Sequence, residues 1–511
     1  MVLQARTGAS TRARTGRWPS VLGASVEVQI LIVLMALAAV LRFATLGDQS
    51  YWLDESQAAH ELSLTFGRTM SAWSSAEWNP PLYLLVAWPW ARAFGTGAVG
   101  LRSLSAVLGV GLLPLLYLCG RELVGARAGL VAAALAAVNP FMIWYSQEAR
   151  EYMLLVVLCA ASLLFFARAW RSRSTADLAW WAVLSALALL TQYFAGFLIA
   201  AEGALLLWRV RDRAALAACA LQVVVLAPFV PHVLPRLQRP SLFITDVPLG
   251  NRLQEVPVAF GLGQLSLSSG ARYGLLGAAA LAAAVIALLV AGATRRQLRG
   301  AGLAAAIAGF VLIVPLLLAL AGHDDYIARG LMPAWPPLAI VVAAACTARR
   351  ARLAGAALAV VLLGAFVWAQ VEVQSNAAYQ RPDWRGVAAA LGSSSGARAI
   401  AAYPGQFATG PLSVYLPRVP WSGPGEPAGT DSGPHRISEV AVIGNARQVA
   451  PPPPPGIRLL TARVVDGYQV DRFALRAPVS DDAAAVSALA ARLLPVGGAQ
   501  PIVMFQRGED S

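Results

Sequence analysis

Pro81 to Phe94 reads PLYLLVAWPWARAF, and whether this stretch crosses a bilayer decides the topology of the whole chain. It falls short of the roughly 20 apolar residues that span a bilayer core as helix. Pro89 interrupts it, and Trp88, Trp90 and Arg92 suit a segment lying in the membrane interface. If it crossed, Arg121, Arg127 and every later arginine cluster would face outward, inverting the bias that keeps basic residues on the cytoplasmic side. Placed in the outer interface, it removes the conflict.

Working outward from that choice, apolar runs of about span length predict eleven membrane helices: 27–46, 102–119, 128–145, 152–168, 177–192, 194–208, 214–231, 273–292, 301–321, 331–347 and 353–370. The cytoplasmic turns then collect Arg121 and Arg127; Arg168, Arg171 and Arg173; Arg209, Arg211 and Arg213; Arg295, Arg296 and Arg299; and Arg349, Arg350 and Arg352. The outer side receives the first loop 47–101, the turn 146–151, the turn at Thr191-Gln192-Tyr193, the loop 232–272, the turn 322–330 and everything from 371. The expected fold class is therefore an α-helical polytopic membrane protein with a C-terminal soluble α/β domain. Its organisation is a cytoplasmic segment 1–26, a membrane domain 27–370 and an extracytoplasmic domain 371–511.

Composition agrees. The chain is 58% hydrophobic and 13% charged, against roughly 25% charged in soluble domains. Its net charge is +13, carried by arginine alone, since there is no lysine. Those arginines sit between spans, so nucleic acid is not an expected partner. Cys119, Cys159, Cys219 and Cys346 lie in or beside apolar segments, which supports neither a disulfide framework nor a thiolate metal site. The basic N-terminus (Arg6, Arg12, Arg14, Arg17) precedes an apolar run too long for a signal peptide. There is no Walker loop, no GxGxxG followed by the acidic partner of a dinucleotide fold and no GxSxG nucleophile elbow, so a nucleotide substrate is not indicated.

The polar chemistry gathers outside. YWLDESQAAHELSLTF (51–66) sets Asp54 and Glu55 just past the first span, as a candidate catalytic pair. Asp54 with Gln57 also fits a capping box that starts a helix near Glu55, with His60 and Glu61 solvated further along. Glu77 and Asn79, before the double proline at 80–81, are candidate substrate contacts. IWYSQEAREYMLL (143–155) packs Gln147, Glu148, Arg150, Glu151 and Tyr152 between two spans, and an arginine fork there suits a phosphate. HDDYIARGLMPAWPPL (323–338) offers Tyr326 and Arg329, expected on one helical face, with Arg329 as a phosphate partner. His323 with Asp324 and Asp325 is a weaker candidate for a metal, and no metal is assigned.

These stretches resemble the lipid-phosphate-sugar-dependent glycosyltransferases of the GT-C fold, the group holding protein O-mannosyltransferases and the aminoarabinose transferase of lipid A. The matching segments are LDES around Asp54 and Glu55, NPPLYLL (79–85), WYSQEAREY (144–152), TQYFAGFL (191–198, with Tyr193), YIARGLMPAWPPL (326–338) and RPDWRGVAAAL (381–391). Each alone is weak; six in one order are specific. The resemblance implies transfer of a sugar, mannose by family frequency, from a polyprenyl-phosphate donor to an extracytoplasmic glycan, lipid or protein acceptor, usually with inversion. It implies Asp54 as base and Arg150, Arg329, Tyr152 and Tyr326 around the leaving phosphate. Asn79 stands where many relatives carry His or Lys. Metal use varies across the class, and no cofactor is assigned. The rival readings are a lipid or polysaccharide flippase, which expects a polar route through the bundle and often repeated halves, and a pentosyl (arabinosyl) transferase of the same fold.

In the tail, Asp383-Trp384-Arg385 opens a predicted helix to 391. Strands are predicted at 397–403, 437–444, 457–465 and 501–505, with a helix at 481–494. An irregular loop (423–434) and a stiff proline connector (451–455) separate them.

Overall fold

The computed structural model describes residues 25–511 except 77–78, 232–233, 235–243, 245, 268–270, 404, 422–435, 447–450, 495–499 and 509–511. Glu77, His232, His435, the N-terminal arginines and the loop expected at 423–434 lie outside the described residues.

The described helices of the first part are α1 (Val26–Phe43), α2 (Leu53–Ser63), α3 (Phe66–Ala76), α4 (Leu82–Phe94), α5 (Ala98–Leu123), α6 (Ala126–Val138), α7 (Pro140–Ser146), α8 (Tyr152–Ser172), α9 (Thr175–Leu189), α10 (Ala195–Val210), α11 (Arg213–Leu226), α12 (Leu249–Leu262), α13 (Ala271–Gly292), α14 (Arg295–Leu320), α15 (Trp335–Cys346) and α16 (Arg352–Ser375). Each expected span contains a helix. Six are long and apolar enough to cross a membrane by length and composition, or seven if one bent pair counts as a single span. Their outward faces expose Val223, Ile286, Val290, Val360 and Leu353, an apolar surface that suits lipid rather than water. The stretch 81–94 is α4, kept separate from the long helices and carrying Pro89 within it.

The third expected span is not one helix. It bends by 62° between α6 and α7, at Asn139-Pro140. Proline removes an amide donor and pushes the residue before it out of the helical region. Asn139 is accordingly extended and caps α7 by accepting the Met142 amide at 3.0 Å, while its Nδ2 donates to the Phe260 carbonyl at 3.0 Å. The break strands carbonyls at the end of α6. Fully buried Arg42 of α1 donates to two of them, Ala136 (2.8 Å) and Ala137 (2.9 Å), and to Ser146 Oγ (3.0 Å). One arginine thus satisfies a helix end in an apolar bundle and fixes where α7 delivers the turn 147–151.

The tail folds into β1 (Arg398–Ala402), β2 (Arg436–Asn445), β3 (Ile457–Val465), β4 (Tyr468–Ser480) and β5 (Ile502–Gln506), with α17 (Trp384–Leu391), α18 (Gly405–Tyr415) and α19 (Ala483–Leu493). The sheet order is β3-β4-β2-β1-β5; β1 and β2 are parallel and the other pairs antiparallel. Alternate residues face opposite sides. Ile400, Ile443 and Met504 pack on α17 and α18, whereas Ala401, Val442 and Phe473 pack on α19. β4 and α18 are absent from the sequence-based expectation. β4 follows β3 through Asp466-Gly467, both at positive φ (48° and 79°), a two-residue turn matched to strand twist.

This domain docks on α2. Tyr51 N donates to Tyr415 Oη at 2.7 Å, and His60 stacks on Trp421 at 4.3 Å. Gly410 lies so close that a β-carbon there would fall 2.6 Å from Ser56 Oγ. His60 and Glu61, expected to be solvated, instead pack inward: His60 stacks on Trp421, and buried Glu61 accepts from Gln57.

Candidate active site

The capping box at Asp54 does not form. α2 begins at Leu53 after an extended Trp52, and Gln57 donates to Glu61 Oε1 at 3.0 Å instead. Asp54 and Glu55 therefore occupy the first helical turn, where the helix dipole favours acidic groups. Successive helical residues point about 100° apart, so the two carboxylates enter different surroundings.

Glu55 points inward and is fully buried. Arg102 Nε and Nη2 grip its two oxygens at 2.7 Å each, the Ala149 amide donates at 2.9 Å, and Arg381 Nε lies 3.6 Å away. The remaining Arg102 donors go to the Leu46, Gln49 and Ser50 carbonyls, all at 2.9 Å, closing the 46–55 segment over the guanidinium. Burial alone would raise the Glu55 carboxyl, but Arg102 and Arg381 together hold it below its ordinary value. Removing one member of such a pair strands the other, at a cost of about 3–5 kcal/mol.

Asp54 is partly exposed. It pairs with Arg329 Nη1 at 3.3 Å, and the two side chains are 26% and 22% exposed. Arg329 lies over the Trp52 ring at 5.6 Å. Burial would lower Arg329, but Tyr152, Asp54, Tyr145 and Glu148 outweigh it and hold the guanidinium above its ordinary value. Tyr145 and Tyr152 meet edge to face at 4.9 Å beneath it. Residues 323–331 form an irregular turn rather than the expected helical face, because Asp324 binds Arg252 of α12 through both oxygens and Arg252 also donates to the Tyr326 carbonyl at 2.8 Å. Asp324 is thereby held below the ordinary carboxylate range, first by that hydrogen bond. Tyr326 contributes a buried side chain and a backbone anchor.

Glu148 lies between these two settings. Arg381 Nη2 donates to its Oε2 at 3.1 Å, while its Oε1 has no hydrogen-bond partner among the described residues. Burial pushes the carboxyl up to about 7; Arg381 opposes this, and the Glu55 and Asp54 charges add to it. Arg381 also covers the Trp144 ring at 4.3 Å.

The other expected residues divide. Arg150 Nε pairs with its neighbour Glu151 at 3.0 Å, and Asn79 Nδ2 donates to the same carboxylate at 2.8 Å, so these three make a cluster that ties the first loop to the 147–151 turn. Gln147 donates to the Arg42 carbonyl (3.1 Å) and Thr45 Oγ1 (2.7 Å), holding the end of α1. Tyr193 is half-buried in the turn before α10, a turn bound to α4 through Leu82 N and the Leu190 carbonyl. Two site residues went unrecognised in the sequence. Arg102 was readable as an arginine inside an apolar span, which is costly unless paired. Arg381 opens the RPDWR motif, yet its role is visible only once Glu55 and Glu148 are in place.

Chemically, one face thus offers an accessible carboxylate beside an accessible guanidinium, over an aromatic floor and a rigid buried ion cluster. That set can take a proton from a nucleophile and neutralise an anionic leaving group. Among the described residues no group of three or more His, Cys, Asp or Glu side chains is arranged to hold a metal ion.

Residues 79–234 match the family model of dolichyl-phosphate-mannose-protein mannosyltransferases. No curated protein matches the chain. Among solved structures, ArnT from Cupriavidus metallidurans bound to undecaprenyl phosphate aligns at a TM-score of 0.54 and 14% identity, covering 88% of this chain and 98% of that one. The Archaeoglobus fulgidus oligosaccharyltransferase tethered with an acceptor peptide gives 0.43 and 13%, covering 70% and 56%. The arabinofuranosyltransferase AftD from Mycobacteria gives 0.49 and 18%, covering 88% and 42%. The match to ArnT establishes the fold: a membrane-embedded GT-C architecture, as the six sequence motifs imply.

Proposed function

We propose that this chain, a glycosyltransferase of the GT-C fold, moves a sugar from a polyprenyl-phosphate donor to an acceptor on the membrane face that carries its C-terminal domain, with Asp54 as the base. The arginine distribution supports reading that face as the non-cytoplasmic one. The observation that carries the reading is the contrast between neighbours: Glu55 is locked, while Asp54 and Arg329 stand together and accessible at 3.3 Å.

The steps follow from that pair. A donor phosphate competes with Asp54 for Arg329, which frees the carboxylate as the donor seats. The acceptor oxygen attacks the anomeric carbon, its proton passes to Asp54, and the carbon–oxygen bond to phosphate breaks with the electron pair leaving on the lipid phosphate. Arg329, with the Tyr152 and Tyr326 region around it, neutralises that charge, and Arg150 supplies a second cation from the 147–151 turn. Attack opposite the leaving group inverts the anomeric centre. Mannose is the sugar favoured, since the matched family model describes mannosyl transfer; a pentose such as arabinose is the alternative. The acceptor is an extracytoplasmic glycan, lipid or protein.

The test uses purified protein, labelled polyprenyl-phosphate mannose or arabinose, and membrane extract, with wild type beside Asp54→Asn. Wild type labels an acceptor and releases lipid phosphate, and Asp54→Asn slows both by about 10²–10⁴-fold. Equal rates in the two proteins exclude Asp54 as base. No donor consumption, with lipid moved across vesicles, replaces the enzyme reading by a transporter.

A further inference from the structure

A cleft of about 390 Å³ opens in the C-terminal domain, away from Asp54. Its walls are the 377–382 strap that follows α16, the β3–β4 turn at Asp466-Gly467 with Tyr468, and the ends of β1 and β2 at Tyr403 and Asn445. Its volume lies within the roughly 300–1,000 Å³ of small-molecule sites. β1 and β2 are the parallel pair of the sheet, and Tyr403 and Asn445 stand at their carboxyl ends. That is where open α/β sheets bind ligands.

One feature points to an occupant. Tyr403 is 3% exposed, and its hydroxyl has no hydrogen-bond partner among the described residues. A buried hydroxyl left unsatisfied costs about 1–3 kcal/mol, so a polar partner entering the cleft gains what the fold leaves unmade. The rest of the lining narrows the ligand class. Half-buried Tyr468 supplies ring surface with a polar tip, and Tyr403 its hydroxyl. Gln380, Asn445 and Asp466 supply planar donors and acceptors. Among the described residues the lining is uncharged but for Asp466, a set that favours a neutral ligand. A second cleft of the domain differs in kind: about 520 Å³, it carries Arg385, Arg418 and Arg507 and, among the described residues, no carboxylate.

We infer that the cleft bounded by Tyr403, Asn445, Asp466, Tyr468 and Gln380 binds a neutral carbohydrate, the glycan portion of the acceptor. The assignment of that glycan as acceptor rests on the transferase reading above. An aromatic face beside planar hydrogen-bonding groups matches a sugar ring, which presents apolar C–H faces and a rim of hydroxyls. The strap connects this cleft to the chemistry: Pro382 lines it, and the adjoining Arg381 holds Glu148 and Glu55. Asp466 Oδ2 accepts the Asp383 amide at 2.9 Å, and Asp383 Oδ1 accepts from Ser50 ahead of α2. A glycan held here lies against the segment that clamps the buried carboxylates.

The experiment titrates the full chain in lipid nanodiscs with α-1,6-mannotriose, α-1,5-arabinotriose and trigalacturonate, read by saturation-transfer NMR. One neutral trisaccharide saturates the wild type, trigalacturonate does not, and Tyr403→Phe weakens the neutral ligand by about fivefold, the loss of one hydrogen bond. Asn445→Ala weakens it as well, which guards against a local packing defect in either variant. The inference is overturned if neither neutral trisaccharide binds, if trigalacturonate binds as tightly, or if both variants bind like wild type with an unchanged unfolding temperature. Donor consumption is measured on the same preparations. Turnover without trisaccharide binding removes the cleft and leaves the enzyme; Tyr403-dependent binding without turnover removes the enzyme reading and leaves a carbohydrate site.

Discussion

Two buried clusters of arginine and glutamate can be set side by side, one between the helical bundle and the C-terminal domain and one inside that domain. In the inner cluster Glu439 is saturated. Arg472 grips it at 2.7 and 2.9 Å, Arg398 donates at 3.2 Å and Ser394 at 3.1 Å. Arg398 spends its other donors on the Leu391 and Gly392 carbonyls and Gln506, so the cluster joins β1, β2, β4, β5 and the end of α17. In the junction cluster Glu55 is just as saturated, but Glu148 shares Arg381 with it and keeps one oxygen unpartnered among the described residues. A closed set of ion pairs specifies packing. A set with spare acceptor capacity, beside an accessible Asp54 and Arg329, has the makings of a working site.

The harshest way to break the comparison is Glu55→Gln. It leaves Arg102 buried without its anion and is expected to cost about 3–5 kcal/mol, read as a lower unfolding temperature together with lost transfer. A variant that transfers normally at unchanged stability would show that Glu55 does not hold the site.

The next separates the clusters by the sign of their response to acid. Glu148 is raised from 4.5 to about 7, so its folded form holds the proton more tightly. Its stabilising contribution is fully present below about 4.5 and is lost as pH rises through about 7, on the order of 3 kcal/mol. Glu439 goes the other way: burial would raise it, but Arg472 and Arg398 outweigh burial and hold it below 4.5. Its contribution is present above 4.5 and lost as pH falls. Hydrogen exchange corrected for intrinsic rates should therefore show residues 147–151 better protected at pH 5 than at pH 8. Residues 436–445 should weaken only at still lower pH. Parallel responses in the two regions would erase the distinction.

The mildest is Glu439→Gln, expected to cost about 2 kcal/mol and to loosen the sheet in hydrogen exchange. Transfer per folded molecule should persist. Its disappearance at full folding would make the inner cluster part of the chemistry.

What was legible in the sequence follows the range of the physics behind it. Apolar run length is local, so a helix could be read in each apolar stretch, while the interfacial placing of α4 rests on the arginine bias alone. The break at Asn139-Pro140 was equally local and was passed over, although proline inside an apolar run is a strong signal. Asp54 and Glu55 were found as a pair, but their division of labour depends on Arg102, Arg329 and Arg381, distant in sequence. Gln57 sits where a capping box would put it and binds Glu61 instead. Tyr326 and Arg329 have helical spacing without a helix, because Arg252, some 70 residues earlier, pulls their turn into another shape. β4 was missed despite the Asp-Gly signal, since Gln469, Asp471 and Arg472 blur its alternation.

The strap from 377 to 385 has a practical corollary for anyone recombining these parts. A chain shortened after Ser375 would retain every candidate membrane span, yet it would surrender Arg381 and with it the cation shared by Glu55 and Glu148. The extramembrane unit is thus not an interchangeable module. Chimeras and truncations should cut beyond Arg385, whose amide bonds Ser50 and whose guanidinium reaches the Gly47 carbonyl, and any graft that cuts earlier exchanges a piece of the candidate site along with the cargo it was meant to swap.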